Sequence, residues 1–401
     1  MNVIEMSSNE SNLMSTYARK PVTFVSGNGV WLVSDKQDKY LDALAGIAVC
    51  GLGHAHPDVA KAIADQAATL SHTSNIYRIE LQEKLGKKLC QLSGMDSAFF
   101  GNSGAEANEA AIKLARLYGH HKNIKVPAII VMENSFHGRT MATLTATGNR
   151  KAHAGFEPLV PGFVRAPYND VAAVENILKN NTNIAAILVE PIQGEGGINI
   201  PEKNYLSKLK DLCTKHEILL MLDEVQTGNG RTGKWFCFQH ENIQPDVLVT
   251  AKGLGNGMPI GACMATKEVA DLFSPGSHGS TFGGNPLACR AALTTLETIE
   301  KNKFADNASQ LGSYIVSTLQ EKLSSNSMVK EVRGKGLMIG IEMTLPCTEL
   351  VDTCLKQQLL INVTSERVIR LLPPLIFDKS NADTMIELLV HCIEDFSATQ
   401  A

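Results

Sequence analysis

The stretch DVLVTAKGLGNGMPIGA at residues 246–262 places a single lysine, Lys252, between an apolar run and a glycine-rich turn. A second apolar run, in LLMLDEVQTGNGRTG at residues 219–233, ends at Asp223, 29 positions before that lysine. Apolar runs of this length predict buried strands, and neighbouring strands of a parallel sheet bring their carboxyl ends to one edge. The sequence therefore predicts an amine and a carboxylate close together at one edge of a sheet.

An amine and a carboxylate in this arrangement are the two groups that pyridoxal 5'-phosphate (PLP) requires from a protein. Lys252 would bind the cofactor covalently, and Asp223 would keep its pyridine nitrogen protonated. A protonated ring accepts the electron pair that is left when a Cα–H bond breaks. Taken singly, the two residues have plainer explanations, a solvated lysine and a turn-forming aspartate. The prediction therefore depends on the two contexts together.

The middle of the chain alternates short apolar runs with helical patterns. The predicted strands are SAFF (97–100), AIIVM (128–132), AAILVEP (185–191), ILLMLDE (218–224), DVLVT (246–250) and GACMA (261–265). This alternation predicts an α/β fold with a mostly parallel sheet and helices on both faces, so that ligands bind at the carboxyl ends of the strands. The last part of the chain changes character and predicts a smaller α+β domain. Its predicted elements are a helix at 286–300, a helix ending near residue 323, a strand at 337–343 and a closing helix at 382–396.

Composition and charge disfavour several classes of protein. The chain has 401 residues, 44% of them hydrophobic and 19% charged, which is typical of a globular protein with a large core. A net charge of −4 and a pI near 6.3 argue against a nucleic-acid binder. The nine cysteines form no C-x-x-C pair, which favours reduced thiols in a cytoplasmic protein. The N-terminal MNVIEMSSNESNLM lacks the pattern of an export signal, and the apolar runs are too short to cross a membrane.

Nine separated motifs carry a resemblance to a known family. In order they are TYARKPV, LAGIAVCGLGHAHP, FFGNSGAEANEAAIKLAR, FHGRT, VEPIQGEGG, DEVQTGNGRTG, AKGLGNGMPIGA, HGSTFGGNP and VIRLLPPL. From about residue 17 to about residue 374, the chain resembles the class III aminotransferases of PLP fold type I, and within them the acetylornithine aminotransferases. The resemblance implies a central sheet of the seven-stranded type. It also implies that residues 1–55 pack with the small domain, that 56–285 form the large PLP-binding domain, and that 286–401 form the C-terminal small domain.

The motif FFGNSGAEANEAAIKLAR (99–116) predicts a strand, a loop of small residues and a helix. Free backbone N–H groups and the helix dipole make such a helix start a phosphate site. The predicted phosphate contacts are Ser103, Gly104 and Ala105. The plainer alternative is a capping box in which Ser103 pairs with Glu106, and the two interpretations are compatible.

Further cofactor contacts follow from the resemblance alone. Thr281, in HGSTFGGNP, would bind the same phosphate from the partner subunit, so that each active site would belong to a homodimer. Phe136, in FHGRT, would lie on the face of the pyridine ring, and Gln226 would reach the phenolic oxygen of the cofactor. In the same DEVQ segment, Glu224 and Val225 are predicted to contact the cofactor as well.

Two arginines are candidates for binding substrate carboxylates, because a planar guanidinium pairs with a carboxylate through two parallel hydrogen bonds. The resemblance implies that Arg139 binds the carboxylate remote from the reacting amine, with Ser280 nearby. Arg370, in VIRLLPPL, would bind a carboxylate close to the reacting amine. Glu195 would pair with Arg370 and neutralise it when the donor has no carboxylate there. The ordinary alternative for Glu195 and Arg370 is a surface salt bridge.

One departure from the family pattern narrows the substrate. Ornithine aminotransferases have a tyrosine where this chain has Ile47, so the polar contact to a free α-amine is missing. An apolar residue tolerates an acylated amine, and Tyr17 would line the same pocket. The resemblance thus implies ping-pong transfer of the δ-amino group of N-acetylornithine to 2-oxoglutarate, giving N-acetylglutamate 5-semialdehyde and glutamate in arginine biosynthesis. N-succinyl-diaminopimelate, N-succinylornithine and 4-aminobutyrate stay open as donors, since Ile47 also occurs in the 4-aminobutyrate branch.

Other functions are less well supported by the sequence. A PLP-dependent aminomutase would share Lys252 and Asp223 but would need no external amino acceptor. A non-catalytic binding protein on this scaffold would be expected to have lost the lysine or the arginines. The run 228–233 fits G-x-G-x-x-G, but KWFCF follows where a dinucleotide site needs a helix, so a nicotinamide dehydrogenase is disfavoured. His54 and His56 lack partners at ligand spacing, and no metal site is predicted.

Overall fold

The chain folds around three β-sheets in the computed structural model, which describes residues 12–400. In chain order, the strands are β1 (Phe24–Asn28), β2 (Trp31–Ser34), β3 (Lys39–Asp42), β4 (Ser97–Gly101), β5 (Ala128–Met132), β6 (Phe163–Ala166), β7 (Ile184–Val189), β8 (Leu219–Asp223), β9 (Val247–Thr250), β10 (Gly261–Ala265), β11 (Val329–Lys335), β12 (Met338–Met343), β13 (Leu359–Leu360), β14 (Asn362–Thr364) and β15 (Val368–Leu371). The helices are α1 (Ala45–Ala48), α2 (Pro57–Thr69), α3 (Glu80–Ser93), α4 (Gly104–His121), α5 (Met141–Ala146), α6 (Arg150–His153), α7 (Val171–Asn180), α8 (Tyr205–His216), α9 (Lys267–Ala270), α10 (Pro286–Lys301), α11 (Phe304–Lys322), α12 (Leu350–Lys356) and α13 (Lys379–Gln400). Short 3₁₀ helices span Cys237–His240 and Lys252–Leu254.

Residues 1–11, which include most of the N-terminal segment for which no export signal is expected, lie outside the described part of the chain. Within residues 12–400, no helix is both long enough and apolar enough to span a bilayer.

The central sheet has seven strands in the order β4-β10-β9-β8-β7-β5-β6. The strands β9, β8, β7, β5 and β6 pair in parallel, whereas β10 is antiparallel to both of its neighbours. The predicted α/β fold with a mostly parallel sheet is therefore confirmed. The six predicted strands are present as β4, β5, β7, β8, β9 and β10. The sequence did not predict the edge strand β6, because four residues with a charged side chain do not form a continuous apolar run.

Both faces of the central sheet are covered, which explains why its inner strands are apolar without interruption. Successive residues of a strand point to opposite faces. Ile129 and Val131 of β5 belong to one apolar cluster with the buried face of α4. Ile130 and Met132 belong to a second cluster, on the other face, with residues of α3, α8 and α10. The helices thus leave the carboxyl ends of the strands as the open edge of the sheet.

The two smaller sheets are built mainly from the ends of the chain. Strands β1, β2 and β3 are antiparallel, and β13 joins them by pairing in parallel with β3, so that Leu359 lies opposite Leu41. The other sheet has the order β11-β12-β15-β14 and is antiparallel throughout. The predicted C-terminal helices and strand are present as α10, α11, α13 and β12, and α13 is longer than predicted. The division of the chain into domains at residues 55 and 285 stays a prediction.

The segment after β3 has an unusual backbone. All four residues of α1 have positive φ, between 51° and 65°, a left-handed conformation that is costly for residues other than glycine. The Asp42 carboxylate supports this turn by accepting hydrogen bonds from the N–H groups of Leu44 at 2.9 Å and Ala45 at 2.8 Å. Nε2 of His54 lies 2.7 Å from the same carboxylate. The Asp42–His54 pair therefore braces the strained turn.

This pair makes stability depend on pH in a specific direction. Hydrogen bonds to Asp42 and to Cys50 raise the pKa of His54 from 6.5 to about 9. A pKa raised in the folded state stabilises the protein below the unfolded value, and this contribution is lost as pH rises through the folded value. His54→Gln keeps a neutral donor without the charge. We expect wild type to melt at a higher temperature than His54→Gln at about pH 6, and the gap to narrow by about pH 10. Thermal unfolding followed by circular dichroism measures the gap, and a gap that is independent of pH would contradict this role.

Candidate active site

A cavity of about 390 Å³ lies where β8 and β9 end, beside the start of α4. This is the edge at which open parallel sheets bind ligands. The predicted site residues that line it are Ser103, Gly104, Ala105, Phe136, Arg139, Asp223, Val225, Gln226 and Lys252. The cavity is also lined by residues that the sequence did not single out, among them Val49, Asn102, Asn108, His137 and Glu190.

Lys252 follows directly after β9 and begins a 3₁₀ turn. Its φ of 46° lies in the left-handed region, so the backbone is strained at this point. The Asn229 side-chain amide ties down the end of the strand by donating to Thr250 Oγ1 at 2.9 Å and to the Ala251 carbonyl at 3.2 Å. Within residues 12–400, the lysine amine has no hydrogen-bond or ion-pair partner. Burial lowers the pKa of Lys252 despite the opposing charge of Glu195, which favours the neutral amine of a nucleophile or base.

Asp223 is the last residue of β8, and its carboxylate is almost fully buried. Its Oδ2 accepts a hydrogen bond from Asn108 Nδ2 at 2.7 Å and lies 2.8 Å from His137 Nδ1. Its Oδ1 accepts a hydrogen bond from the N–H of Val225 at 3.1 Å. A carboxylate that has lost its water needs partners of this kind, because burying an unpaired charge is costly. Since the carboxylate also lines the cavity, it can bind a cationic ring nitrogen there.

The start of α4 offers free backbone N–H groups to the cavity. Ser103 caps the helix, since its Oγ accepts a hydrogen bond from the N–H of Glu106 at 3.2 Å. The capping box is incomplete, because the Glu106 carboxylate binds the N–H and the side-chain amide of Asn102, at 2.6 and 2.8 Å. The N–H groups of Gly104 and Ala105 have no acceptor in the described part of the chain. Together with the helix dipole, these N–H groups favour a bound anion.

Close packing around the helix start leaves no room for a side chain at two glycines. A Cβ at Gly104 would lie 2.8 Å from Cγ2 of Val225. A Cβ at Gly261 would lie 2.3 Å from the carbonyl oxygen of Ser103. Contacts this short would force the neighbouring groups apart. Glycine at both positions therefore lets β10 and the loop after β8 approach the helix start.

Phe136 and Arg139 line the cavity from the loop between β5 and α5. The Arg139 guanidinium lies 5.4 Å from the centre of the Phe136 ring, within the range of a cation–π contact. Arg139 is exposed and forms no ion pair with residues 12–400, so it is available to an anionic ligand. The N–H of Phe136 donates to the buried Glu190 carboxylate at 2.9 Å. Burial raises the pKa of Glu190 to about 7, and the charge of Asp223 adds to this effect.

Glu195 and Arg370 form an ion pair that does not line the cavity but is linked to it, because Arg370 bonds to Gln226, a lining residue. Nη1 and Nη2 of Arg370 lie 2.7 and 3.3 Å from the two carboxylate oxygens of Glu195. Arg370 is fully buried on β15, and it also donates to Gln226 Oε1 at 3.4 Å and to Asn362 Oδ1 at 3.0 Å. Burial alone would raise the pKa of Glu195, but the charge and hydrogen bonds of Arg370 outweigh burial and lower that pKa. The buried arginine distinguishes this pair from an ordinary surface salt bridge.

Glu224 lies next to Asp223 in the chain but its side chain does not line the cavity. Its buried carboxylate accepts hydrogen bonds from the N–H groups of Cys237 at 2.6 Å and Phe238 at 2.9 Å, and from Thr227 Oγ1 at 2.9 Å. These bonds hold the 3₁₀ helix behind the site. Burial raises the pKa of Glu224 to about 7, although the hydrogen bonds oppose this. The predicted contact of Glu224 with a cofactor stays a prediction.

Ile47 and Tyr17 also lie outside the cavity. Ile47, in the left-handed turn, packs against an apolar cluster that includes Ile198 and Leu372. Val49, two residues further on, lines the cavity instead. Tyr17 is 75% exposed. The substrate roles of Ile47 and Tyr17 stay predictions.

Ser280 and Thr281 line a second cavity, of about 630 Å³, at the surface. Ser280 is connected to the first cavity through Asn102, whose side-chain amide donates to Ser280 Oγ at 3.3 Å. Oγ of Ser280 also accepts a hydrogen bond from the N–H of Gly283 at 3.0 Å, which closes the turn that carries Thr281. The predicted roles of Ser280 and Thr281 in substrate and phosphate binding stay predictions.

The sequence analysis missed four polar residues of the cavity, although each stands in a motif that it used: Asn102, Asn108, His137 and Glu190. Asn108 lies one helical turn after Gly104 on α4, His137 follows Phe136, and Glu190 follows β7 as a polar residue directly after a buried strand. The position after a strand was the available signal for Glu190. The spacing of apolar residues in the sequence does not reveal which polar residue of each motif points towards the cavity.

Comparisons with known proteins agree with this site. The family model for class III aminotransferases matches residues 14–393. An acetylornithine aminotransferase from Nitrosomonas europaea is 59% identical over 376 residues, which cover 94% of this chain and 96% of that protein. An acetylornithine aminotransferase from Methanocaldococcus jannaschii is 48% identical, with 94% of each chain covered.

Solved structures with the same fold include two kinds of enzyme. The ornithine aminotransferase from Toxoplasma gondii matches with a TM-score of 0.94 at 34% identity, covering 97% of this chain and 94% of that one. The acetylornithine aminotransferase from Elizabethkingia anophelis matches with a TM-score of 0.86 at 35% identity, covering 95% of this chain and 96% of that one. The predicted PLP fold type I is thereby confirmed, but the fold alone does not distinguish the two donors.

The groups around the cavity suit PLP, the cofactor of class III aminotransferases. Lys252 offers an amine that no side chain or backbone group of residues 12–400 binds, and Asp223 offers a buried carboxylate at the cavity wall. The start of α4 lines the same cavity and offers N–H groups for which residues 12–400 provide no acceptor. A cofactor that combines an aldehyde, a basic ring nitrogen and a phosphate needs these three kinds of group.

Gly104→Ala tests the helix start. We expect this variant to bind PLP about tenfold more weakly or worse, because the new Cβ would push Val225 or the helix start out of place. Gly86→Ala is the matched control, since its Cβ would meet only the Phe100 ring, at 3.9 Å. Removal of the cofactor by dialysis and titration with PLP, followed by absorbance, gives both dissociation constants. Equal affinities of the two variants would contradict the phosphate site.

Proposed function

We propose a reaction for this chain, which belongs to the class III aminotransferases. It transfers the δ-amino group of N-acetylornithine to 2-oxoglutarate. The products are N-acetylglutamate 5-semialdehyde and glutamate, and the reaction serves arginine biosynthesis. The observation that carries this proposal is the Glu195–Arg370 pair, which lies close enough to Lys252 for the charges to interact. Such a pair can serve one substrate with a carboxylate near the amine and one without. The names of the relatives that are 59% and 48% identical support N-acetylornithine as the donor.

The cofactor site is proposed from the groups that converge on the cavity. Bound PLP supplies an electron sink for the pair left when a Cα–H bond breaks. Asp223 stabilises the positive charge of the ring nitrogen, and Asn108 and His137 hold its carboxylate in place. The residues proposed to hold PLP are Lys252, Asp223, Ser103, Gly104, Ala105, Phe136, Glu224, Val225 and Gln226.

Lys252 has two tasks in this mechanism. Its amine would hold the cofactor in the absence of substrate. With substrate bound, the lysine amine would take the proton from the substrate carbon that carries the transferred nitrogen, and the resulting ammonium group would give this proton up again to the cofactor. The lowered pKa of Lys252 favours the neutral form that can accept this proton. The half-reaction with 2-oxoglutarate uses the same lysine in the reverse direction.

Arg139 and the Glu195–Arg370 pair sort the two substrates. Arg139 binds the carboxylate that is far from the reacting amine in both of them. N-acetylornithine presents a terminal CH2–NH2 group, so Glu195 stays on Arg370 and keeps the buried charge paired. 2-Oxoglutarate brings a second carboxylate, which takes the place of Glu195 on the same guanidinium.

The apolar wall near Ile47 supports an acylated donor. Ile47 packs into an apolar cluster outside the cavity and Val49 lines the cavity, so neither of these residues offers a polar side chain to a free α-amine. Ornithine is therefore disfavoured as the donor, even though an ornithine aminotransferase has the same fold. N-succinylornithine, N-succinyl-diaminopimelate and 4-aminobutyrate are the alternatives that such a wall also tolerates.

We also propose that the protein is a cytoplasmic homodimer. Exposed apolar side chains adjoin the surface cavity of Ser280 and Thr281, namely Ile76 at 80%, Tyr77 at 66% and Phe282 at 59% exposure. A second copy of the chain would cover these side chains and would bring Thr281 towards the phosphate site of its partner. The nine cysteines are all unpaired, which suits a reducing compartment.

A spectrum of the half-reaction tests the proposed donor. We expect N-acetylornithine to convert the bound cofactor rapidly to its amine form, and 2-oxoglutarate to reverse the change. Lys252→Ala should show no turnover, because no other amine adjoins the cavity within the described residues. Ornithine, 4-aminobutyrate and N-succinylornithine are compared under the same conditions. Faster conversion by one of these would move the proposal to that donor, and conversion by none of the four would overturn it.

Glu195→Ala tests how the two substrates share Arg370. We expect this variant to slow the N-acetylornithine half-reaction by about tenfold or more. The buried guanidinium of Arg370 loses its carboxylate partner, and the CH2–NH2 end of the donor offers no carboxylate to replace it. The glutamate half-reaction should change by less than about threefold, since the substrate carboxylate pairs with Arg370 itself. Asp65→Ala, which breaks an exposed ion pair with Lys61, is the control. Stopped-flow absorbance measures each half-reaction, and equal losses in both would rule out the exchange.

A further inference from the structure

Besides Glu195 and Gln226, Arg370 has a third partner, Asn362, which binds a different part of the guanidinium. Arg370 on β15 and Asn362 on β14 are directly opposite residues of an antiparallel pair. Nε of Arg370 donates to Asn362 Oδ1 at 3.0 Å, whereas Glu195 occupies Nη1 and Nη2. Because Arg370 is fully buried, its N–H groups depend on protein acceptors. Asn362 therefore orients the guanidinium without blocking the face that binds a carboxylate.

The backbone under Glu195 is held by the same strand and by the turn that follows it. Thr364 Oγ1, at the end of β14, and Ser365 Oγ both donate to the carbonyl of Glu195, the latter at 3.2 Å. The loop 193–199 that carries Glu195 is closed by two backbone hydrogen bonds between Gln193 and Asn199, each of 3.1 Å. The main chain at Glu195 is thus fixed from within the loop and from β14.

The far end of this loop is fixed as well. Arg333 donates from Nη2 to the Gly197 carbonyl at 2.7 Å and from Nε to the Ile198 carbonyl at 2.9 Å. The side chain of Glu195 is 34% exposed, whereas that of Arg370 is 0% exposed. A partly exposed carboxylate can rotate into solvent, but a buried guanidinium loses its partners if it moves. Glu195 is therefore the mobile member of the pair.

We propose that β14 is the fixed frame of the carboxylate switch formed by Glu195 and Arg370. Asn362 and Thr364 are its positioning residues, since one orients the arginine and the other anchors the main chain of the glutamate. Exchange of substrates then requires only rotation of the Glu195 side chain, without movement of the loop 193–199. The inference rests on the proposed function for the identity of the substrates, but its test uses a simple dicarboxylate.

Asn362→Ala removes the oxygen that orients Arg370. Glutarate is the probe, because it carries both carboxylates of 2-oxoglutarate and no reactive carbonyl. We expect the PLP-loaded variant to bind glutarate about tenfold more weakly in isothermal titration calorimetry, since the buried Nε–H loses its acceptor and the guanidinium can turn. The KM for 2-oxoglutarate should rise in parallel, while the KM for N-acetylornithine should stay within about twofold.

The double variant Thr364→Val with Ser365→Ala should shift glutarate binding in the opposite direction. It removes both hydroxyl groups that hold the Glu195 carbonyl, so Glu195 pairs less well with Arg370. Glutarate must displace Glu195, and a weaker competitor makes this displacement easier. We expect glutarate to bind about threefold more tightly and the N-acetylornithine half-reaction to slow. A loss of packing alone would weaken both processes.

The control is Asn180→Ala, an exposed asparagine whose side chain bonds only to Asn176 one turn away on α7. Melting curves show whether each variant folds, and if Asn362→Ala does not, the double variant decides the matter. Unchanged glutarate binding in Asn362→Ala, weaker binding in the double variant, or no glutarate binding by wild type would each overturn the proposal. Opposite shifts in a protein that does not convert N-acetylornithine would support the frame and reject the proposed donor.

Discussion

The buried carboxylate of Asp223 is the constraint on which the rest of the site depends. A charge removed from water at the end of an apolar strand needs several donors, and Asn108, His137 and the N–H of Val225 provide them. These donors come from α4, from the loop after β5 and from the loop after β8. One carboxylate therefore joins the helix that begins at the open N–H groups, the loop that carries Phe136, and the loop that follows its own strand.

Burial acts on the charged groups of this site in different ways. It lowers the pKa of Lys252 and raises the pKa of Glu190 to about 7. The buried guanidinium of Arg370 is surrounded by acceptors. The buried cation of Arg370 needs a partner at all times, whereas the carboxylate of Glu195 reaches solvent. This difference gives a physical basis for exchanging one carboxylate for another. The difference in exposure between Glu195 and Arg370 matters more here than the strength of the hydrogen bonds between them.

Two left-handed backbone segments lie near the site, and side-chain hydrogen bonds hold each of them. Lys252 has a left-handed φ, and the turn Ala45–Ala48 is left-handed throughout. Such conformations persist only where their surroundings hold them. Asn229 secures the strand end before Lys252, and Asp42 secures the start of the turn. A few side chains outside the cavity's titratable groups therefore hold the backbone at Lys252 and at the turn before Val49.

The sequence by itself determined the inner strands of the central sheet and the meeting of Lys252 and Asp223 at one edge. Continuous apolar runs record burial on both faces, and parallel strands share an edge for their carboxyl ends. Short strands that mix apolar and charged residues, such as β6, do not show this pattern and cannot be predicted from it. Only the tertiary structure decided which polar residues of each motif face the cavity, for Glu190 does so while Glu224 binds the 3₁₀ helix behind it. It alone also revealed Asn362 as a partner of the arginine on β15. The physical reason is that the period of a sequence encodes burial, whereas the partner of a polar side chain is set by contacts between segments that are distant in the chain.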